Sequence, residues 1–315
     1  MSCVFGIIIP YAAVVIFIAG VLWKIARWAA APVPFRIPTA CGQQRSLRWI
    51  SSSRLDNPHS TPGVIGRMAM EILFFRSLFR NTAAELKPGP ALVYGSAKWL
   101  WLAAMGFHWS LLVVLIRHLR FFTEPQPEPV TLIQNLDGFF QVAVPVLFLS
   151  DVILIGASAF LFVRRLADAK LRYFSLAADY FPLLLIGSIA ATGMLMRHIY
   201  KVDLRSVKEL TLGLIALQPS VPPGVGILFY IHISLASVLF AYFPFSKLMH
   251  MGGIFLSPTR NLANNSRMRR HVNPWNYDVK VHTYEEYEEE FGPVMAAAGL
   301  PVEKAGSANG ETGHG

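Results

Sequence analysis

The chain alternates long apolar runs with polar stretches rich in basic residues. Five runs have the length and apolarity of bilayer-crossing helices, for which about 20 residues are needed. They extend from about Val4 to Trp23, Ala97 to Leu119, Phe140 to Val163, Leu176 to Met196 and Val225 to Met249. Arg164 and Arg165 end the third run, and Val221–Pro222–Pro223–Gly224 breaks the chain before the fifth. Between the first two runs, Val64 to Arg80 places Ile65, Met68, Ile72, Phe75 and Phe79 at helical spacing with Arg67, Arg76 and Arg80 beside them. That pattern predicts an amphipathic helix lying on a membrane or a partner. Tyr284 to Phe291 (YEEYEEEF) is acidic and helix-prone, and the last dozen residues have the composition of a disordered tail.

The expected architecture is an all-α integral membrane protein with five transmembrane helices. Its parts are a first transmembrane helix (1–28), a loop with an amphipathic helix (29–96), four further membrane helices (97–249) and a tail (250–315). Composition agrees. Of 315 residues, 54% are hydrophobic and only 15% charged, against roughly 25% charged in soluble domains. The net charge of +9 points to topology and anionic lipid before nucleic acid, since no nucleic-acid motif accompanies it.

No basic residue precedes the first run, whereas Lys24 and Arg27 follow it. A secretory signal has the opposite order, so Ala29–Ala31 is not read as a cleavage site. With the N-terminus outside, 22 of the 28 Lys and Arg residues fall on the inner side and six on the outer. This bias predicts that orientation, with the loop and the C-terminus in the cytoplasm. Cys3 and Cys41 form no C-x-x-C pair, which excludes a cysteine-held iron–sulfur cluster or structural zinc.

Histidine is costly inside a bilayer and is usually functional there. His59, His271, His282 and His314 lie in loops or the tail. The second run carries His108 and His118, and the fifth His232 and His250. These two helices run antiparallel, so His108 meets His250 at one depth and His118 meets His232 at the other. Two imidazoles facing each other at equal depth are what a six-coordinate haem iron requires. The ten-residue spacing rises about 15 Å and the eighteen-residue spacing about 27 Å, so a tilt or bend must absorb the difference. Pro244 is placed to supply one. His198, next to Arg197, is an interfacial residue or part of a quinone site. Glu124, Asp137 and Lys201 are further outer candidates for handling quinone protons, or ordinary loop charges. Arg117 and Arg120 flank His118 and are either partners for haem propionates or snorkelling arginines.

The helix texts GFHWSLLVVLIRHLRFF and FYIHISLASVLFAYFPFSKLMH resemble the haem-binding helices of the respiratory nitrate reductase gamma subunit family. The stretches RIPTACGQQ, VIGRMAMEILFFRSLFRNT and SPTRNLANNSRMRRHVNPW resemble the membrane cytochrome b subunits of the DsrMKJOP complexes of sulfur-metabolising prokaryotes. The likeness covers almost the whole chain except its final residues. It implies two haem b groups on His108, His118, His232 and His250, with menaquinone as substrate. It also implies a cytoplasmic iron–sulfur partner (DsrK-like, related to heterodisulfide reductase), DsrJ-, DsrO- and DsrP-like companions, and residence in the cell inner membrane. A haem-free anchor or a transporter subunit is the competing class. A transporter would more often show broken helices or repeated halves, and an anchor has no need of histidine pairs at depth.

Overall fold

The computed structural model describes residues 2–31, 53–89, 91–139, 148–265 and 281–303. The described residues divide between two compact units, one within Met1–His271 and one within Val272–Gly315.

In the first unit, a π-helical turn (Val4–Ile8) leads into α1 (Ile9–Ala29). Then come α2 (Thr61–Phe74), α3 (Arg76–Phe79), strands β1 (Thr82–Lys87) and β2 (Ala91–Ser96), and α4 (Lys98–His118). After them lie α5 (Glu128–Phe139), α6 (Leu149–Ala167), α7 (Ala169–Phe174), α8 (Ala177–His198), α9 (Leu204–Ile215) and α10 (Ile227–Tyr242). Short 3-10 turns (Phe243–Phe245, Lys247–Met249) connect to α11 (His250–Leu256) and α12 (Pro258–Asn261). The second unit contains α13 (Tyr284–Ala297), the acidic helix expected from sequence. A reciprocal cap starts it: Glu286 N–H donates to Thr283 Oγ1 and Thr283 N–H to Glu286 Oε2.

Four helical stretches among the described residues are long and apolar enough to cross a membrane: Val4–Ala29, Lys98–Phe121, Ala177–His198 and Ile227–Phe245. Their large apolar side chains face outward, with Val15 65% and Leu22 63% exposed, as suits hydrocarbon surroundings. The expected third span is only partly visible. Residues 140–147 lie outside the described residues, and α6 carries Asp151 in its first turn and Arg164 and Arg165 in its last.

Helix α4 packs on α6, α6 on α8, α8 on α10 and α10 on α1. Phe107, Leu154 and Ile186 form a core between α4, α6 and α8. Small residues allow the close approaches. A Cβ on Gly20 would lie 2.7 Å from Pro244 Cβ, so α1 can seat against that proline only as glycine. The arc brings α4 and α10 opposite each other, with histidine side chains between them.

Three elements depart from the sequence expectation. The fifth run is not one helix. Pro244 cannot donate to the preceding turn, α10 tightens into a 3-10 turn, and Ser246 is extended at φ −113° and ψ 175°. Ser246 Oγ then accepts from Leu248 N–H and starts a new helical segment, so His250 lies beyond the break. The amphipathic segment is also two helices, because Phe75 adopts φ 48° and ψ 48°. The stretch before α4 is a β-hairpin, with Thr82 opposite Ser96 and Lys87 opposite Ala91.

Candidate functional site

The helix α4 places His108 and His118 ten residues apart, and the break after α10 sets the reach from His232 to His250. The four rings meet in the expected pairs. The centres of His108 and His250 are 5.9 Å apart, with planes at 82°. Those of His118 and His232 are 6.4 Å apart and nearly parallel, at 12°.

Each ring is held by its Nδ1. His108 donates to Ala104 O at 2.8 Å, His118 to Val114 O at 2.7 Å and His250 to Lys247 O at 2.8 Å. His232 instead reaches another helix and contacts Thr192 Oγ1 at 2.9 Å. A proton fixed on Nδ1 leaves the Nε2 lone pair free, which is the tautomer that metal-ligating histidines use. An imidazole nitrogen binds a first-row metal at about 2 Å and its ring centre lies about 1 Å further, so two rings across one iron have centres roughly 6 Å apart. Both pairs fit that distance. No group of three or more His, Cys, Asp or Glu side chains gathers as a metal site among the described residues. Two axial ligands suffice for haem, whose porphyrin supplies the other four nitrogens.

The His108–His250 pair sits under a polar cap. Phe75 packs edge-on against His108 with centres 5.0 Å apart. Trp101 Nε1 donates to Phe74 O at 2.8 Å and Trp109 Nε1 to Leu73 O at 3.1 Å, which fastens the end of α2 to α4. The stretch after α11 closes over α2. Arg67 donates to Leu262 O at 2.9 Å and to Arg260 O. Arg260 donates to Glu71 Oε1 at 3.0 Å and to Ser77 Oγ at 2.9 Å. Asn264 N–H donates to Pro58 O at 2.7 Å, and its side chain donates to Asn57. Arg67 is 2% exposed, so it is not the surface-facing basic companion expected of an amphipathic helix. Beside the cap, Asp56 is bonded to Arg76 and Arg80, and the Arg76 guanidinium holds its carboxyl well below the usual carboxylate range.

At the other end, Arg117 is buried against acidic groups. Its Nη1 lies 2.7 Å from Asp137 Oδ2, 2.9 Å from Ser150 Oγ and 3.2 Å from Asp151 Oδ1. Ser150 donates to Asp137 through both its N–H and its hydroxyl. The buried Phe148 ring has the Arg117 and Arg197 guanidinium carbons each 3.7 Å from its centre, a cation–π arrangement. Arg120 rests on Phe121.

The four expected quinone residues are not gathered into one site. Asp137 belongs to the Arg117 cluster, Glu124 is bonded to Lys208, and Lys201 is exposed. His198 keeps a buried Nε2 without a hydrogen-bond partner among the described residues. Cys3 is exposed, and Cys41 lies outside the described residues. Thr192, Trp101 and Trp109 escaped the sequence reading, which had Phe75 only on an amphipathic face and Arg197 only beside His198. Thr192 carries no signal of its own, since a threonine in an apolar helix commonly bonds to its own backbone.

A mostly helical, multi-pass membrane protein with two facing histidine pairs is the class that this fold and site define. The chain belongs to the nitrate reductase gamma subunit family, whose profile matches residues 91–271 and so spans all four paired histidines. It is similar to the Hdr-like menaquinol oxidoreductase cytochrome b-like subunit of Archaeoglobus fulgidus, at 44% identity over 282 residues covering 87% of this chain and 84% of that one. The same-named subunit of Archaeoglobus profundus is 41% identical over 274 residues, covering 85% and 81%.

Proposed function

We propose that this chain is a dihaem cytochrome b subunit that carries electrons between menaquinol and an iron–sulfur partner related to heterodisulfide reductase. The observation that carries this reading is the pair of ring separations near 6 Å with every Nδ1 engaged. The relatives' names, which include menaquinol oxidoreductase and an Hdr-like complex, support the substrate and the partner. When bound, the haems would supply one-electron transfer. His108, His118, His232 and His250 would hold them through Nε2, each with its proton kept on Nδ1, and the apolar core of α4, α6 and α8 would exclude water. Neither cysteine belongs to a C-x-x-C-H motif, so the haem would be held by its ligands alone, as in b-type cytochromes.

In this reading the chain crosses the cell inner membrane five times. The N-terminus is outside, and the His108–His250 pair is cytoplasmic, beneath the cap. The complex is of the DsrMKJOP kind, acting in dissimilatory sulfur metabolism, with a DsrK-like subunit docked on the cap and DsrJ-, DsrO- and DsrP-like subunits completing it. His198 is the preferred proton-handling residue for quinol, because its inward nitrogen is uncommitted.

A menaquinol analogue added to the purified complex should reduce its cytochrome, with reduction of the iron–sulfur partner following. Removing residues after His271 should leave both haems spectrally intact, because the ligands and the cap contacts through Asn264 all precede the cut. It should weaken co-purification of the partner. A cytochrome that the quinol analogue cannot reduce would refute menaquinol as substrate. Full partner retention after truncation would remove the tail from the docking surface.

A further inference from the structure

Three of the four paired histidines donate from Nδ1 to a carbonyl one turn back in their own chain segment. His232 does not. Its Nδ1 faces Thr192 Oγ1 on α8, at 2.9 Å. The single hydroxyl proton of Thr192 is directed to the carbonyls of Ser188 and Ile189, each at 2.9 Å. In the tautomer that leaves Nε2 free for iron, the imidazole Nδ1–H donates to the threonine oxygen while the hydroxyl proton goes to the α8 backbone. The chain of bonds from α8 backbone to hydroxyl to imidazole holds that tautomer and the ring plane together.

The ring plane matters because the two pairs differ. His118 and His232 are nearly parallel at 12°, while His108 and His250 are nearly perpendicular at 82°. An axial imidazole donates π density to the iron d orbital that its plane selects. Parallel rings act on one orbital and split it from its neighbour. Perpendicular rings act on both and leave them nearly degenerate, which preserves orbital angular momentum and makes the low-spin ferric signal strongly anisotropic. Hydrogen bonding to the distal imidazole nitrogen also raises ligand basicity and favours the ferric state.

We propose that Thr192 is a positioning residue that sets the plane and basicity of His232, and so gives the His118–His232 haem an electronic character distinct from its neighbour's. This rests on the dihaem reading. The test uses the purified wild type, Thr192→Val and Thr192→Ser, each examined by electron paramagnetic resonance when oxidised and by potentiometric titration. The wild type should show one rhombic and one strongly anisotropic low-spin signal. Thr192→Val should move the rhombic signal alone and raise the midpoint of that haem alone, because the ferric state loses donor strength. At the wild-type midpoint its reduced-to-oxidised ratio should rise several-fold from one. Thr192→Ser keeps the hydroxyl and should keep both properties. Unchanged signals and midpoints in Thr192→Val would overturn the proposal, as would a serine variant shifted as far as the valine one. If Thr192→Val loses the haem, Thr192→Ala is titrated in its place and the same outcomes decide. A wild type without two low-spin haems overturns the parent reading, and this proposal with it, before any variant is compared.

Discussion

Replacing His118 by alanine is expected to abolish the same haem that His232→Ala abolishes, while His108→Ala and His250→Ala abolish the other. The reason is geometric. Each ring has one partner near 6 Å; one pair joins the middle of α4 to the start of α11, and the other joins the end of α4 to α10. A six-coordinate site that loses one of two protein ligands keeps a single imidazole, which should fail to retain haem through purification. Haem content should fall to half in every single variant, and redox titration should show which midpoint survives. His118→Ala with His232→Ala should lose no more than either alone. His118→Ala with His108→Ala should lose everything. Crossed losses, with His108 and His232 removing the same haem, would overturn the pairing.

Arg117→Ala is expected to cost about 3–5 kcal/mol of stability, the usual consequence of removing one partner from a buried charge cluster. Arg117 is 7% exposed, and its removal strands Asp137 and Asp151 without their cation. It also takes away one face of the Arg117–Phe148–Arg197 stack that joins α4 to α8. Thermal unfolding in detergent should show a large drop. Arg117→Lys should recover only part of it, because an ammonium can meet the acceptors around Nη1 but lacks the flat guanidinium that stacks on Phe148. Sequence alone left Arg117 between a propionate partner and a snorkelling arginine. If it served a propionate, the alanine variant would keep its stability and show a changed haem midpoint.

The histidine pairing was legible because it depends on two spacings and one direction of travel, all written in the chain. A bend near the end of α10 was legible, since Pro244 removes a donor wherever it stands, but not that the helix stops there and restarts before His250. The break at Phe75 was not. Neither glycine nor proline marks it, and an aromatic residue at φ 48° is held only by tertiary contacts. Here those are the His108 ring and the two tryptophans that take the carbonyls of Leu73 and Phe74. The β-hairpin has Pro88 and Gly89 at its turn, with Gly89 at φ 93°, but its strands are short and lie beside much stronger apolar runs. Arg67 shows the limit most clearly. Its spacing put it beside the apolar face, and only the approach of residues 260–264, nearly two hundred positions later, buries it.

Haem content per chain tests the central claim most directly. Pyridine haemochrome analysis of the purified protein, set against protein concentration by amino-acid analysis, should give two b-type haems per chain, with reduced-minus-oxidised spectra of low-spin form. One haem or none per chain would contradict it.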